Sequence, residues 1–329
     1  MKAIVWTKYG SPDGLQLQEV DKPTPKKNEV LIRIHATTVS TADCELRSFK
    51  GLNVLWLPLR IYIGLVRPTR ITILGQELAG EIEAVGKEVT RFRNGDQIFA
   101  WTGFRLGANA EYTCLPEDGV LATKPSNITY EEAATLAIGG LEAIHFLRKG
   151  IVQSGQKVLI NGAGGSIGTF AIQLAKYFGA DVTGVDSTEK LDMLRSIGAD
   201  QVVDYTREDF TKSGQTYDVI FDVVGKSSFS GSLRSLKQNG RYLLANPGLS
   251  QSIRARWTSN SDKKVIPYAA RAASEVTEDL NFLKELIEAG KIKSVIDRRY
   301  PLELTAEAHT YVDTGRKKGN VVITVEQNS

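Results

Sequence analysis

Lys157-Val158-Leu159-Ile160-Asn161-Gly162-Ala163-Gly164-Gly165-Ser166-Ile167-Gly168, followed by Thr169-Phe170-Ala171-Ile172-Gln173-Leu174-Ala175-Lys176, reads as a short apolar strand, a glycine turn and a helix. That order makes a dinucleotide the expected ligand. Glycines let the backbone approach a pyrophosphate, and the helix that follows offers unpaired N–H groups and the positive end of its dipole. The spacing is A-x-G-x-x-G, from Ala163, Gly165 and Gly168, with Gly162 and Gly164 adding slack. A glycine-rich loop alone is weak evidence, so its context decides. Gly179-Ala180 closes the helix, residues 181–185 read as a second strand, and Asp186 ends it, eighteen residues after Gly168. An acid near that offset binds the adenosine ribose in dinucleotide folds.

Asp186 also bears on the choice of cofactor. A carboxylate accepts hydrogen bonds from both ribose hydroxyls of NAD, whereas a 2′-phosphate would meet like charge at a cost of up to about 4 kcal/mol. NAD(P)H is expected, with NADH favoured over NADPH. Ser187, Thr188, Lys190 and Arg195 follow and offer a phosphate site if Asp186 turns away; in a simpler reading, Asp186 only caps a helix starting near Thr188.

The chain has 329 residues, is 42% hydrophobic and carries a net charge of +3, which fits a globular protein with room for two domains. Basic residues are scattered, so nucleic-acid binding is not expected. Cys44 and Cys114 are the only cysteines, too few for a disulfide framework or a four-cysteine zinc site. The low cysteine count fits a reducing, cytoplasmic setting, and residues 1–5 enter a strand pattern with no apolar leader. Residues 52–66 are apolar but broken by Asn53, Pro58 and Arg60, which predicts no membrane span. That segment reads as an amphipathic piece packed on the core or as a lipophilic flap over a substrate.

Up to residue 124, short alternating runs at residues 29–36, 79–85, 97–101 and 111–114, separated by Gly, Pro, Asn and Asp, predict mainly β structure. From Thr129 onwards strand and helix alternate, which predicts a doubly wound parallel sheet. Helical periodicity at residues 278–289 and a final strand at 319–325 complete the pattern.

Several ordered motifs carry a family resemblance. They are Gly75-Gln76-Glu77-Leu78-Ala79-Gly80 with Gly86 and Val89, then Gly107-Ala108-Asn109-Ala110-Glu111-Tyr112, Glu131-Glu132-Ala133-Ala134, Phe221-Asp222-Val223-Val224-Gly225 and Gly319-Asn320-Val321-Val322. Over nearly its whole length the chain resembles the zinc-independent quinone oxidoreductase branch of the medium-chain dehydrogenase/reductase superfamily. The resemblance implies an α/β protein with a GroES-like, mainly β catalytic domain in two pieces, residues 1–124 and 266–329, around a Rossmann domain at 125–265. It also implies a homodimer.

Gln76 and Ser40 stand where zinc-bearing members of this superfamily have a histidine and a cysteine ligand, and the structural zinc lobe is missing too. No metal is expected, because Gln and Ser are poor zinc ligands. His35, His145 and His309 read as ordinary packed or surface histidines, and Cys44 as a packed side chain. Without a Lewis acid the substrate should carry its own electron sink, so a small apolar quinone or an α,β-unsaturated carbonyl is expected to accept hydride. Ser40 and Gln76 are the candidates for the reacting face, with Tyr62 a candidate acid. Asp43 and Arg47, four residues apart, read equally as a structural pair, and Glu77 as structural. Gly162, Gly165, Ser166, Ile167 and Gly168 are expected at the pyrophosphate, Asp186, Ser187 and Lys190 at the ribose, and Val224, Asn246 and Asn320 around the nicotinamide. The competing reading is a nicotinamide-binding redox sensor or structural protein without turnover.

Overall fold

The structure is a computed structural model that describes residues 1–49, 57–258, 262–268 and 273–325. The strands in chain order are β1 Lys2–Trp6, β2 Leu15–Glu19, β3 Glu29–Val39, β4 Glu77–Val85, β5 Gln97–Trp101, β6 Tyr112–Pro116, β7 Val120–Thr123, β8 Lys157–Asn161, β9 Asp181–Asp186, β10 Gln201–Asp204, β11 Tyr217–Asp222, β12 Leu236–Leu244, β13 Lys264–Pro267, β14 Ile296–Pro301 and β15 Asn320–Thr324. The helices are α1 Thr41–Ser48, α2 Leu57–Ile63, α3 Tyr130–Ala134, α4 Leu136–Lys149, α5 Ser166–Tyr177, α6 Leu191–Ser196, α7 Phe229–Arg234, α8 Leu249–Thr258, α9 Ala273–Glu288 and α10 Thr305–Asp313.

Two compact units result: Met1–Ile138 with Ala272–Glu288 and Ser294–Ser329, and Gly139–Arg271 with Ala289–Lys293. In the first, the strand order is β14-β15-β3-β4-β5-β7, with β6 also on β3. β14 and β15 run parallel and the other pairs antiparallel. β3 is buried along nearly its whole length, as its run of Val30, Leu31, Ile32 and Ile34 requires. Its core partners include Trp6, Leu78, Ile82 and Ile98.

The second unit is a six-stranded parallel sheet in the order β10-β9-β8-β11-β12-β13. Two mononucleotide-binding halves therefore meet between β8 and β11, the switch point where ligands of doubly wound sheets bind. Both central strands are short apolar runs, and α5 buries every residue from 168 to 175. At Gly168 a Cβ would fall onto the Gly162 carbonyl oxygen and the Ala163 backbone. This glycine sets how closely α5 lies against the end of β8.

The division differs from the expected boundaries at 124 and 265. Residues 125–138 pack with the first unit, where α3 rests on β3 and β4, and residues 289–293 go with the second; residues 273–288 pack with the first unit, α9 lying on β7, within the expected 266–329 piece. The Ile138 N–H donates to Glu77 Oε2 at 2.7 Å, and Asn127 Nδ2 to the Ile287 carbonyl at 3.0 Å. Helical pattern marked the start of α3 but not the sheet it covers. β13 extends the parallel sheet through β12, so residues 264–268 stay with the second unit. Of the apolar segment at 52–66, residues 52–56 lie outside the described residues; the rest contains α2, anchored by Ile63 and Leu59.

Glu77 is 2% exposed and accepts from Thr38 Oγ1 as well as from Ile138. Burial pushes its carboxyl from 4.5 up to about 8. The folded chain therefore holds the proton more tightly, and this contribution to stability is complete below 4.5 and lost as pH rises to about 8. Glu77→Gln should flatten the stability–pH profile across that window in urea titrations; an unchanged slope would remove Glu77 as its source. Gly168→Ala should cost about 1–3 kcal/mol by the same method, because backbone has to move, and a cost near zero would contradict the close contact.

Candidate functional site

The glycine turn is built around a carboxylate. The N–H groups of Gly162 and Ala163 donate to the Val185 carbonyl at 3.0 and 3.1 Å, which ties the turn to the end of β9. Gly164 N–H donates to Asp186 Oδ2 at 2.7 Å and Ser187 N–H to Oδ1 at 2.9 Å, while Lys190 Nζ lies 3.1 Å from Oδ1. Asp186 is therefore a brace for the turn, with its charge paired to a buried lysine. The short helical turn Thr188–Lys190 has Ser187 at its N-cap, so the simple capping role for Asp186 is not what the geometry shows. Arg195 turns to Asp192 at 2.7 Å. Gly165 caps α5 with extended backbone, and a Cβ there would meet nothing nearer than the Gly162 oxygen at 3.7 Å. That open space lies before the helix N-terminus, beside Ser166, Ile167 and Gly168, and fits a pyrophosphate held by backbone N–H groups.

The neighbouring strand ends are held by Asp222, which sequence reasoning quoted only as part of a motif. It is fully buried. Oδ1 accepts from Asn161 Nδ2 at 3.0 Å and from the Gly225 N–H at 2.9 Å; Oδ2 accepts from Ser227 Oγ at 2.5 Å and Tyr242 OH at 2.9 Å. One side chain thus joins the ends of β8, β11 and β12 at the switch point. Val224 projects beside Gly162, where a Cβ on that glycine would meet Val224 Cγ1 at 2.7 Å. Asn246 Nδ2 donates to the Val223 carbonyl at 2.8 Å, fixing the same loop. A polar Asn161 ending an apolar strand was the available signal for this network.

In the other unit, a second buried carboxylate gathers the candidate reacting groups. Ser40 opens α1 in a capping box: its N–H donates to Asp43 Oδ2 at 2.9 Å, its Oγ–H donates to the same oxygen at 2.6 Å, and Asp43 N–H donates back at 3.2 Å. Gln76 Nε2 donates to Asp43 Oδ1 at 3.2 Å. Burial raises the Asp43 pKa against these hydrogen bonds, which lower it. Asp43 and Arg47 are not each other's partners: Arg47 Nη2 reaches Asp313 Oδ2 at 2.5 Å. Next to Asp43 on α1, Cys44 Sγ lies 3.3 Å from His309 Nδ1, across 265 residues of sequence. Desolvation, with Arg47 nearby, pushes the His309 pKa down to about 3 and holds the ring neutral. Tyr62 stands exposed on α2 with the Arg70 guanidinium over its ring at 5.6 Å, outside the Asp43 hydrogen bonds. Asn320 is buried in β15, its Nδ2 donating to the Val295 carbonyl at 3.1 Å.

These side chains do not fit zinc. The Ser40 hydroxyl and Gln76 amide are engaged by Asp43, burial pushes the Cys44 thiol well up, and no group of three or more His, Cys, Asp or Glu is placed to hold a metal among the described residues. The glycine turn, by contrast, fits a nicotinamide dinucleotide.

Comparison with known proteins agrees with both units. Residues 26–126 match the alcohol dehydrogenase GroES-like domain, and residues 197–323 match a family described as zinc-binding dehydrogenase. The 2-methylene-furan-3-one reductase of Solanum lycopersicum is 33% identical over 98% of this chain and 79% of its own. The chloroplastic NADPH-dependent alkenal/one oxidoreductase of Arabidopsis thaliana is 32% identical over the same shares. The quinone oxidoreductase of Coxiella burnetii superposes with a TM-score of 0.87 at 28% identity, covering 99% of both chains. With two matched domains, a dinucleotide turn and no zinc ligands at Ser40 and Gln76, the chain belongs to the zinc-independent quinone oxidoreductase branch of the medium-chain dehydrogenase/reductase superfamily.

Proposed function

We propose that the chain is a zinc-free reductase that moves hydride from NAD(P)H to a small apolar quinone or α,β-unsaturated carbonyl. The observation that carries this reading is the Asp43 group, in which the side chains at both vacated metal positions bind one buried carboxylate. It offers an oriented N–H but no Lewis acid. Such a site suits an acceptor that spreads developing charge onto its own oxygen. The relatives named for a methylene-furanone and for alkenals and enones support that substrate class.

When bound, the nicotinamide supplies hydride from its C4. Gln76 Nε2 gives one hydrogen to Asp43, and we assign its second to the acceptor oxygen. Ser40 donates its hydroxyl hydrogen to Asp43, so its role is to hold that carboxylate and with it the Gln76 amide. Tyr62, outside these bonds, is not assigned the proton. On the cofactor side, Gly162, Gly165, Ser166, Ile167 and Gly168 approach the pyrophosphate, Ser187 flanks the ribose, and Val224 and Asn246 shape the rim above the buried Asp222. Asn320 braces β15 against Val295. NADH is favoured through the Asp186 carboxylate, but Lys190 at 3.1 Å offsets part of the charge that would repel a 2′-phosphate, so NADPH is also used. By family analogy the enzyme is a homodimer, and its two cysteines suit a reducing, cytoplasmic setting.

Gln76→Leu should lower kcat/KM for the quinone or enone by roughly tenfold to a hundredfold, with the dissociation constant for NADPH unchanged by fluorescence titration. Equal turnover in the variant would remove Gln76 from the reaction. Asp186→Ser should move the NADPH-to-NADH ratio of kcat/KM roughly tenfold towards NADPH; a static ratio would leave Asp186 as a turn brace only. Nucleotide oxidation assayed with quinones, enones and simple ketones tests the activity itself. Tight nucleotide binding with no turnover of any acceptor would favour the sensor reading instead.

A further inference from the structure

α2 is apolar on both sides. Its inner side carries Leu59 and Ile63, packed on the core, and its outer side carries Leu57, Ile61 and Tyr62, each more than half exposed. Leu65 and Val66 follow at 61% and 84% exposed, so five of the fifteen large apolar side chains exposed among the described residues fall within residues 57–66. Apart from Pro58 and Arg60 the helix carries only apolar and aromatic side chains, and an exposed cluster of this kind marks a surface that meets something.

The projection is built into the backbone. Arg60 Nε donates to the Leu65 carbonyl at 3.1 Å, Tyr9 OH donates to the Gly64 carbonyl, and the N–H groups of Thr69 and Arg70 both reach the Ile63 carbonyl at 3.0 and 3.1 Å. Gly64 has φ +145°, and a Cβ there would fall onto the Arg67 carbonyl oxygen. Leu65 and Val66 are thus held outwards by a pinned turn.

Charge identifies what the turn faces. Between Glu45 and Glu77 the sequence has no acidic residue, while Arg60, Arg67 and Arg70 lie in or beside the apolar cluster. Arg67 and Arg70 are exposed and have no carboxylate partner among the described residues. Apolar side chains at the tip beside exposed arginines that meet no carboxylate among the described residues match a surface that is anionic outside and apolar just beneath. A second copy docked symmetrically would set arginine against arginine. We propose that the outer side of α2 and the turn at residues 64–70 form a docking surface for an anionic lipid bilayer. This attachment is peripheral, since no helix among the described residues is long and apolar enough to cross a membrane.

The test is co-sedimentation of the full chain with vesicles of phosphatidylcholine alone and of phosphatidylcholine mixed with phosphatidylglycerol, at low and high salt. Binding is expected only to the mixed vesicles and should weaken with salt. Leu65→Gln with Val66→Gln, and separately Arg67→Gln with Arg70→Gln, should each lower the partition coefficient about tenfold or more, with the thermal midpoint and the KM for a water-soluble quinone unchanged. Absence of binding to the mixed vesicles overturns the proposal, as does binding that both double variants retain. A raised quinone KM with vesicle binding unmoved would assign the cluster to the substrate site, and a dimer lost in the Leu65/Val66 variant with no lipid binding would assign it to a second copy.

Discussion

A buried carboxyl group is stable only when enough donors converge on it, and this constraint recurs at four places in the chain, two in each compact unit. Asp43, Glu77, Asp186 and Asp222 are each at most 6% exposed. Each accepts at least one backbone N–H from a place where the chain turns: Ser40 at the start of α1, Ile138 in α4, Gly164 in the glycine turn and Gly225 after β11. Leaving such an N–H unpaired costs about 1–3 kcal/mol, and leaving the carboxylate unpaired costs more. The two needs are met by the same bond, so a turn cannot shift without exposing both. The glycine turn and the start of α1 are thereby fixed by acids.

How much of this was legible in the sequence depends on the range of the interaction. The parallel sheet announces itself locally, because apolar strands buried on both faces, glycine turns and helical periodicity all lie within a few residues of one another. The α1 cap is equally local, since Ser40 and Asp43 stand three residues apart. Partners brought in from a distance left no such trace. Asp43 meets Gln76 rather than Arg47, Arg47 meets Asp313, and Cys44 meets His309, so a four-residue spacing pointed to a pair that the fold does not form. The boundary at residue 138 was hidden for the same reason: α3 looks like the first helix of an alternating pattern, and only the sheet under it shows where it belongs.

Asp186 shows how one residue answers to two levels of structure. Its place after the second strand marks it for the ribose, while its hydrogen bond to Gly164 makes it part of the turn. The lysine beside it changes the electrostatic argument. A bare carboxylate would repel a 2′-phosphate strongly, but a carboxylate with an ammonium at 3.1 Å presents a field that falls off much faster with distance. Lys190 thus screens the carboxylate proposed to favour NADH, and the size of that preference is set by how closely each member of the pair approaches the ribose.

The same constraint explains how a catalytic domain of this lineage does without its metal. A zinc ion satisfies its ligands by taking their lone pairs; once it is gone, the side chains at those positions need other partners or the site carries unpaired polar atoms. Ser40 and Gln76 meet that need because both donate to Asp43. Exchanging the ligands therefore does more than delete a metal. In place of a cation site the chain has a closed hydrogen-bond group with one N–H of Gln76 beyond those used by Asp43, an arrangement that suits an acceptor already electron-poor. A family description that mentions zinc follows the fold and does not by itself decide the reaction.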